Sequence, residues 1–445
     1  MNNSKRISLI IITCGLMQFI AGFNVNLTTI ALPSIAQDLH LTIIMQNWLN
    51  IGILFLTAGI ALPLTKVLLK KGLNYSVKIC IGLIISLSII SFFAPDAQIL
   101  FLSRLLQGGP IGVLYILGPV LISLTVPREK LGFALGILSA SGYIGLTLSP
   151  LISSFVIKEL TWRFIFLLLI PLLIIEFGLL MKLNEEWEIN KDSIDNIGSI
   201  LWFVSSLGLL YGISTIVTKE GAICFVISII LTIVFYYYEK RRTNRLFNVE
   251  LIKNKQFMLS STMASICSII TQSTALIMTY YLSYALKIDI TTIGIILLIL
   301  PIGQVIVAPL SGKLSDNINP LHIIISSFGL FIVTMFLFQR IDKLPFYFTI
   351  IILLLQSIAY ALCYPSSNKY IITSVDEKDI NDANGFLSNL RNGGHVIGTS
   401  ITSLVFLMTI GDSAINTYGS GLISGIKGTY TIFTILSIKF NVKFV

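Results

Sequence analysis

Four ionisable side chains lie inside long apolar runs of the sequence: Arg104, Glu176, Arg391 and His395. A charge is costly in such surroundings, so each of these residues marks a candidate site. A carboxyl or imidazole group there can take up and release a proton during a reaction cycle. An arginine can bind carbonyl oxygens at a helix end through its planar fork of donors. The chemistry that these residue types suggest is proton coupling or gating.

Three of these residues each have a functional and a structural interpretation. Arg104 is either a gating or proton-relay base, or a structural cation bonded to carbonyl groups at a helix end. Glu176 lies about 21 Å along its predicted helix at 1.5 Å per residue. It is either a proton carrier, which could also hold a cationic drug when ionised, or a structural or snorkelling acid, since its neighbours form no polar face. His395 lies among glycines, so it is either a packed neutral histidine or a group that titrates or stacks on a substrate.

A second set of side chains could line a binding cavity. It consists of polar residues in predicted helices (Asn24, Thr28, Gln272 and Gln304) and of aromatic residues (Phe23, Tyr115, Tyr143 and Tyr280). Apolar and aromatic contacts with few fixed polar groups would give broad selectivity for amphipathic molecules.

Long apolar segments must position these residues. The chain of 445 residues is 55% hydrophobic and 11% charged, whereas about a quarter of a soluble domain is charged. The mean hydropathy is +0.89. We therefore predict an all-α polytopic membrane protein. The predicted spans cover 8–32, 46–68, 76–94, 98–126, 131–156, 162–182, 196–216, 221–239, 257–285, 291–312, 321–339, 345–366, 382–408 and 429–440.

Basic residues set the predicted orientation. With the N-terminus inside, the inside segments carry most lysines and arginines, including Lys5, Arg6 and the run 240–245. This bias agrees with the positive-inside rule and places both termini in the cytoplasm. The last span is short, about half of the twenty residues that a crossing needs. An incomplete fourteenth helix and a helix completed by snorkelling lysines both remain open.

Small residues recur every fourth position in the fifth span, at Ser141, Gly145, Ser149 and Ser153. They fall close to one helical face, where they allow another helix to approach backbone to backbone. We expect this face to pack helices, and in a moving protein such a seam also serves as a gate.

Two turns on the predicted cytoplasmic side align without gaps. Residues 63–70 correspond to residues 309–316, and each turn closes the end of a helix. Repeated halves are typical of transporters that rock one helix bundle against another around a central site.

Several motifs together identify a family. The chain resembles the fourteen-helix drug:proton antiporters of the major facilitator superfamily over essentially its whole length. The resemblance rests on 312–316, which is similar to the signature G-x-L-x-D, and on 104–108, which is similar to R-x-x-Q-G. It also rests on 142–154, similar to the fifth-helix signature of antiporters, on 30–35 and on 245–257. The gate and packing residues that it implies are Gln107, Gly108, Gly142, Gly145, Ser149, Pro150, Gly312 and Asp316.

The resemblance implies an architecture and a set of partners. We expect two six-helix bundles at 1–182 and 257–445, with two inserted helices at 183–256. The chain would be a monomer in a bacterial plasma membrane, with small amphipathic molecules, protons and the lipid bilayer as partners. Neither a nucleic acid, nor a cofactor, nor a metal is expected. An enzyme is not expected either, because no nucleotide-binding loop or long soluble segment is present.

The implied function is proton-coupled efflux of drugs by alternating access. Two alternatives remain, a transporter dedicated to one metabolite and a degenerate member that transports nothing. Departures from the family pattern bear on the gate and the ion coupling. Lys66 and Lys70 stand where the family's glycine and aspartate are expected, Asn24 replaces a common aspartate, and Ser149 replaces a common glycine.

Overall fold

The computed structural model describes residues 3–41, 43–183, 185–187, 195–242, 245–288, 290–410 and 419–441. These residues form helices and connecting turns, with no strand among them. The helices are α1 Asn3–Asn26, α2 Leu32–Asp38, α3 Ile43–Leu69, α4 Leu73–Phe92, α5 Ala97–Thr125, α6 Leu131–Glu159, α7 Ile170–Leu183, α8 Asn196–Ser214, α9 Lys219–Lys240, α10 Lys255–Tyr280, α11 Ile290–Leu297, α12 Ile299–Asn317, α13 Pro320–Phe338, α14 Phe346–Ile372, α15 Ile380–Ile410 and α16 Gly419–Asn441.

The helices are long enough and apolar enough to cross a membrane many times. Within the described ranges, 13 segments meet both criteria, and α11 and α12 together form one of them. The helix α15 has 31 residues, carries polar and charged side chains along its inner half, and is not one of the 13. With α15 the long helical segments within the described ranges number fourteen, and the predicted all-helical polytopic fold is confirmed.

The last helix corrects a prediction. The predicted span 429–440 is too short, because α16 begins at Gly419 and its apolar segment runs over Gly421–Lys439. The glycine- and serine-rich stretch before residue 429 resembles a loop in the sequence. It is helical because Leu422 and Ile426 are buried in the core of the second half. The interpretation of an incomplete fourteenth helix is therefore wrong for the described residues.

The first helix also differs from its predicted bounds. The predicted span 8–32 is interrupted, since α1 ends at Asn26 and the separate short helix α2 begins at Leu32. Pro33 is one of the first residues of α2, a position that suits proline because the first helical amides have no partner within the helix.

Buried apolar side chains form two large clusters. The first is built mainly from α1 to α7, and the second mainly from α10 to α16. A smaller cluster joins α8, α9 and the segment that precedes α10. We refer to the two large groups of helices as the first and second halves. We call the membrane side on which α1 begins the inner face and the opposite side the outer face.

Backbone-to-backbone packing occurs at equivalent places in both halves. In the first half, a Cβ atom on Gly145 would overlap the carbonyl oxygen of Phe19, so α6 touches α1 directly. Ser149 Oγ donates a hydrogen bond of 2.6 Å to the Phe23 carbonyl at the same crossing. In the second half, a Cβ atom on Gly398 would overlap the Ile269 carbonyl, so α15 touches α10 in the same manner. Close helix approach in a membrane depends on such small residues.

Candidate functional site

An arginine from the second half meets a tyrosine from the first half. The guanidinium of Arg391 on α15 lies 4.6 Å from the ring centroid of Tyr115 on α5. It also lies 5.2 Å from the ring centroid of Tyr364 on α14, and Nη1 donates a 2.5 Å hydrogen bond to the Tyr364 hydroxyl. Such contacts stabilise a cation by about 0.5–2 kcal/mol, more where water is excluded.

Two further tyrosines extend this group across the boundary between the halves. Tyr360 stacks on Tyr364 with ring centroids 6.1 Å apart, and it meets Tyr143 of α6 edge to face at 6.0 Å. We call Tyr115, Tyr143, Tyr360, Tyr364 and Arg391 the tyrosine–arginine cluster. Two of its members come from the first half and three from the second.

The cluster lies near the middle of the membrane. Arg391 is about 16 Å along α15 from the inner end of that helix, at 1.5 Å per residue. Arg391, Tyr115 and Tyr364 are half-buried where the two halves meet. A central cavity at mid-membrane depth is where a transporter of repeated halves holds its substrate.

Arg391 has no carboxylate partner among the residues that the structure describes. None of the ion pairs formed by the described residues includes Arg391. His395, one turn further along α15, is also half-buried, and its Nδ1 has no hydrogen-bond partner within the described structure. One face of α15 therefore presents a guanidinium and an imidazole to the centre of the molecule.

The halves are also joined at the inner face. The carboxylate of Asp316, at the end of α12, accepts hydrogen bonds from the backbone amides of Gly132 (2.7 Å) and Phe133 (2.9 Å) at the start of α6. Lys369 of α14 forms an ion pair with Asp316 at 2.5 Å. A carboxylate at a helix N-terminus satisfies amides that lack a partner within the helix.

A second inner contact involves Lys66 of α3. Its Nζ lies 2.8 Å from the carboxylate of Asp382, in the first turn of α15, and donates a hydrogen bond of 3.0 Å to the Arg245 carbonyl. Asp382 also accepts a hydrogen bond of 2.9 Å from the Asn248 amide. The base that departs from the family pattern thus has an acid opposite it. We call Lys66 and Asp382 the inner ion pair.

Glycines allow the same helices to touch beside these polar contacts. A Cβ atom on Gly312 would overlap the carbonyl oxygen of Gly132, and one on Gly136 would lie 2.6 Å from the Ala308 carbonyl. A Cβ atom on Gly385 of α15 would overlap the side chain of Leu62 on α3. The inner ends of α6 and α12, and of α3 and α15, are therefore in direct contact.

Arg104 lies apart from the tyrosine–arginine cluster. It is fully buried in the first half, where it donates hydrogen bonds to Asn24 Oδ1 (2.6 Å), the Asn24 carbonyl (2.9 Å) and Gln107 Oε1 (2.6 Å). Gln107 in turn donates a hydrogen bond of 3.2 Å to Ser88. A Cβ atom on Gly108 would overlap the Ile53 carbonyl. This motif therefore ties α5 to α1, α3 and α4.

Glu176 is also buried in the first half. Neither of its carboxyl oxygens has a hydrogen-bond partner within the described structure. The residue lies on α7 in the turns between Leu173 and Leu180, which belong to the core of that half.

The predicted cavity residues divide into two groups. Tyr115 and Tyr143 come together with Arg391, whereas Phe23 and Thr28 are 2% and 0% exposed inside the first half. In this structure the close crossing with α6 draws that part of α1 into the core, and the cavity role of Phe23 stays a prediction.

Three further predicted residues lie elsewhere on the second half. Tyr280 packs against Tyr284 and Phe406, with ring centroids 6.0 and 5.7 Å apart. Gln304 is buried on α12, and Gln272 is exposed on α10.

Sequence reasoning missed several contributors to these contacts, among them Tyr360, Tyr364, Lys369 and Asp382. Tyr360 and Tyr364 are spaced four residues apart in one apolar run, which puts both rings on one face of a helix. That spacing was a usable signal for the cluster. Asp382 gave no comparable signal, because its role depends on a lysine more than three hundred residues earlier in the chain.

Comparisons with known proteins agree with this architecture. The family model of the Major Facilitator Superfamily matches residues 14–280 and 258–438. The chain is 24% identical over 406 residues to the lincomycin resistance protein LmrB of Bacillus subtilis, covering 88% of this chain and 84% of that protein. It is 23% identical over 412 residues to the riboflavin transporter RibZ of Clostridioides difficile, covering 91% of this chain and 89% of that protein.

A solved structure shares the fold. The crystal structure of the human organic anion transporter MFSD10 superimposes with a TM-score of 0.68 at 11% identity, covering 98% of this chain and 100% of that one. At this identity the likeness shows the fold alone. Since the family model extends over most of the sequence, the chain belongs to the major facilitator superfamily.

Proposed function

We propose that the chain exports small amphipathic compounds across the plasma membrane in exchange for protons, by alternating access. The observation that carries this proposal is the tyrosine–arginine cluster, which lies between two repeated halves whose inner ends are in contact. A mid-membrane site open to only one side at a time allows a compound to cross without an open channel.

The proposed motion separates the contacts at the inner face. Residues 1–182 and 257–445 are the two bundles that rock, and residues 183–256 are the insertion between them. The inner ion pair and the capping of α6 by Asp316 hold the inner face closed. The substrate would then exchange with the outer side in this state, and breaking both contacts would open the site toward the inner face.

The orientation is part of the proposal. Lys5, Arg6 and the basic residues between 240 and 245 lie on the inner face. The positive-inside rule then makes the inner face cytoplasmic and places both termini there. Export is the direction suggested by the name of the relative LmrB, a resistance protein.

A second candidate is a transporter dedicated to one metabolite. Arg391 favours it, because a fixed charge at the centre of a site selects a narrower set of compounds than apolar contacts do. The relative RibZ, which is named a riboflavin transporter, also supports it.

Accumulation of fluorescent lipophilic compounds in cells expressing the chain tests the proposal. Expressing cells should accumulate less dye than cells expressing Gly312→Ala, and a protonophore should abolish the difference. Equal accumulation with correctly inserted protein would contradict export. Efflux of many unrelated dyes supports a drug exporter, whereas activity toward a single compound supports the dedicated transporter.

A further inference from the structure

We infer that the transported compound carries an anionic group that binds Arg391, together with a planar aromatic body that packs against the tyrosine rings of the cluster. This inference depends on the proposed function only for the direction in which the compound is transported. The binding site itself rests on the geometry of the cluster.

The two intramembrane arginines differ in how their donors are used. Arg104 has three short hydrogen bonds to acceptors of its own half and is fully buried. Arg391 has one described side-chain hydrogen bond, to Tyr364, and is half-buried. A guanidinium has five N–H donors. Arg391 therefore keeps N–H donors that can bind a ligand between the halves, whereas the donors of Arg104 are enclosed in the first half.

The charge of Arg391 also needs a partner. A cation in the middle of a membrane is costly, and the flanking rings offset only part of that cost. Among the described residues no carboxylate forms an ion pair with it. A carboxylate, sulfonate or phosphate on the substrate would bind the free edge of the guanidinium through two parallel hydrogen bonds.

A cationic substrate would be repelled by the charge of Arg391. It would approach Arg391 in surroundings of low dielectric constant, with no acid in the described cluster to compensate. His395, one turn along α15, adds an imidazole whose Nδ1 has no described hydrogen-bond partner. A neutral or protonated imidazole can donate to an anion, but neither form offers a negative charge to a cation.

The rings determine the shape of the rest of the molecule. The ring centroids of Tyr115 and Tyr364, which belong to different halves, lie 4.6 and 5.2 Å from the guanidinium. Tyr360 continues the stack behind Tyr364, with the ring planes 5° apart. A flat aromatic acid can keep its ring against a tyrosine face while its acid group reaches Arg391.

A charge series on one ring system tests this inference. The ligands are 2-naphthoate, 2-naphthylmethanol and 2-naphthylmethylammonium, titrated calorimetrically into the purified full chain in lipid nanodiscs. Empty nanodiscs of the same composition give the partitioning background. We expect naphthoate to bind at least about tenfold more tightly than the ammonium compound, since a charge-assisted bidentate contact is worth more than 1.4 kcal/mol.

Variants identify the responsible residue. Arg391→Gln should weaken naphthoate binding about tenfold or more and remove the preference for the anion. Arg391→Lys should keep the preference with intermediate affinity, because it keeps the charge and loses the fork. Arg340→Gln is the matched control, since Arg340 is exposed on the outer-face turn after α13 and should bind like the wild type.

Two results would overturn the inference. One is equal or tighter binding of the ammonium compound by the wild type, a measurement that needs no variant to fold. The other is unchanged naphthoate affinity in a folded Arg391→Gln protein. A chain that binds naphthoate through Arg391 but moves none out of vesicles would contradict the proposed export and would still support this binding site.

Discussion

Lys66 and Asp382 form an ion pair at the inner face, where α3 meets α15. The internal repeat relates this junction to the one between α12 and α6, where Asp316 lies. Leu62 on α3 corresponds to Ala308 on α12, and these residues meet Gly385 and Gly136, respectively. At one junction α12 supplies an acid to the amides that begin α6. At the other, α3 supplies a base to an acid in the first turn of α15. The two junctions are thus similar in place and opposite in polarity.

Removing one member of the inner ion pair should destabilise the protein. Lys66 and Asp382 side chains are 19% and 8% exposed, so Lys66→Met leaves a nearly buried carboxylate without its cation. We expect a loss of about 3 kcal/mol in the free energy of unfolding. Equilibrium unfolding in mixed micelles measures this.

The double variants distinguish a pair from two independent charges. Lys66→Met with Asp382→Leu should recover most of the loss, because the buried charge is gone. The swap Lys66→Asp with Asp382→Lys should not recover it, since Asn248 donates to Asp382 and the Arg245 carbonyl accepts from Lys66. Strictly additive effects of the two single substitutions would contradict a coupled pair.

The sequence predicts the spans of this protein better than its junctions. Apolar length alone identifies most crossings, and the motif around Asp316 indicates an inner contact. The partner of Lys66 is not predictable in this way, because it lies on a helix distant in sequence and the family pattern suggests an acid at this turn. Likewise Phe23 and Tyr115 look equivalent in the sequence, and only the crossing of α1 with α6 makes one a core residue.

Adding a methyl group at the seam between the halves should stop transport while leaving the protein folded. A Cβ atom on Gly312 would overlap the Gly132 carbonyl, so Gly312→Ala should hold the inner face apart. We expect a loss of at least about tenfold in transport rate, since an overlap with backbone costs about 1–3 kcal/mol in the closed state. Dye efflux measures it, with membrane expression as the normalising quantity.

A matched glycine substitution separates this effect from helix propensity. Gly82 on α4 has no atom within 4 Å of the position that a Cβ would take. Gly82→Ala should therefore transport like the wild type and be equally or more stable. If both variants lost transport to the same extent, contact at the seam would not be the cause.

The outer face should show an acid-dependent contribution to stability. Asp38 at the end of α2 accepts hydrogen bonds from Arg163 (2.7 Å) and Trp162 (3.0 Å). The hydrogen bond from Arg163, followed by that from Trp162, lowers the pKa of the Asp38 carboxyl below its ordinary value of 3.8. A lowered folded-state pKa stabilises the protein above the unfolded pKa, and this contribution disappears as the pH falls through the folded value.

Asp38→Asn should therefore lower the Tm at pH 7 and lose this effect in acid. The difference in Tm from the wild type should shrink as the pH falls below about 4. The contribution is small, because this ion pair is largely exposed to solvent. Thermal unfolding in detergent over a pH series measures it, and a constant difference at all pH values would contradict the role of the Asp38 charge.

Replacing the buried acid of α7 should stabilise the protein. Glu176 is fully buried and neither of its carboxyl oxygens has a described hydrogen-bond partner. Glu176→Leu removes an unsatisfied polar group at similar volume, so we expect a gain of about 1–3 kcal/mol in the free energy of unfolding. Ser88→Ala is the contrasting substitution, since Ser88 accepts a hydrogen bond from Gln107 and its loss should destabilise. A destabilised Glu176→Leu protein would show that the carboxyl has a partner in the membrane.

Proton coupling should depend on His395 and not on Glu176. His395 is half-buried one turn from Arg391 at the central site, whereas Glu176 is enclosed in the first half. Arg391 precedes it by one turn on α15, so a charged guanidinium lies on the same helical face. We expect His395→Gln to flatten the pH dependence of dye uptake into everted vesicles, because it removes the imidazole that can take up a proton at the central site. Glu176→Gln should keep the wild-type profile. The assignment fails if the His395→Gln profile retains its slope while that of Glu176→Gln becomes flat, since the carrier of the proton would then lie inside the first half.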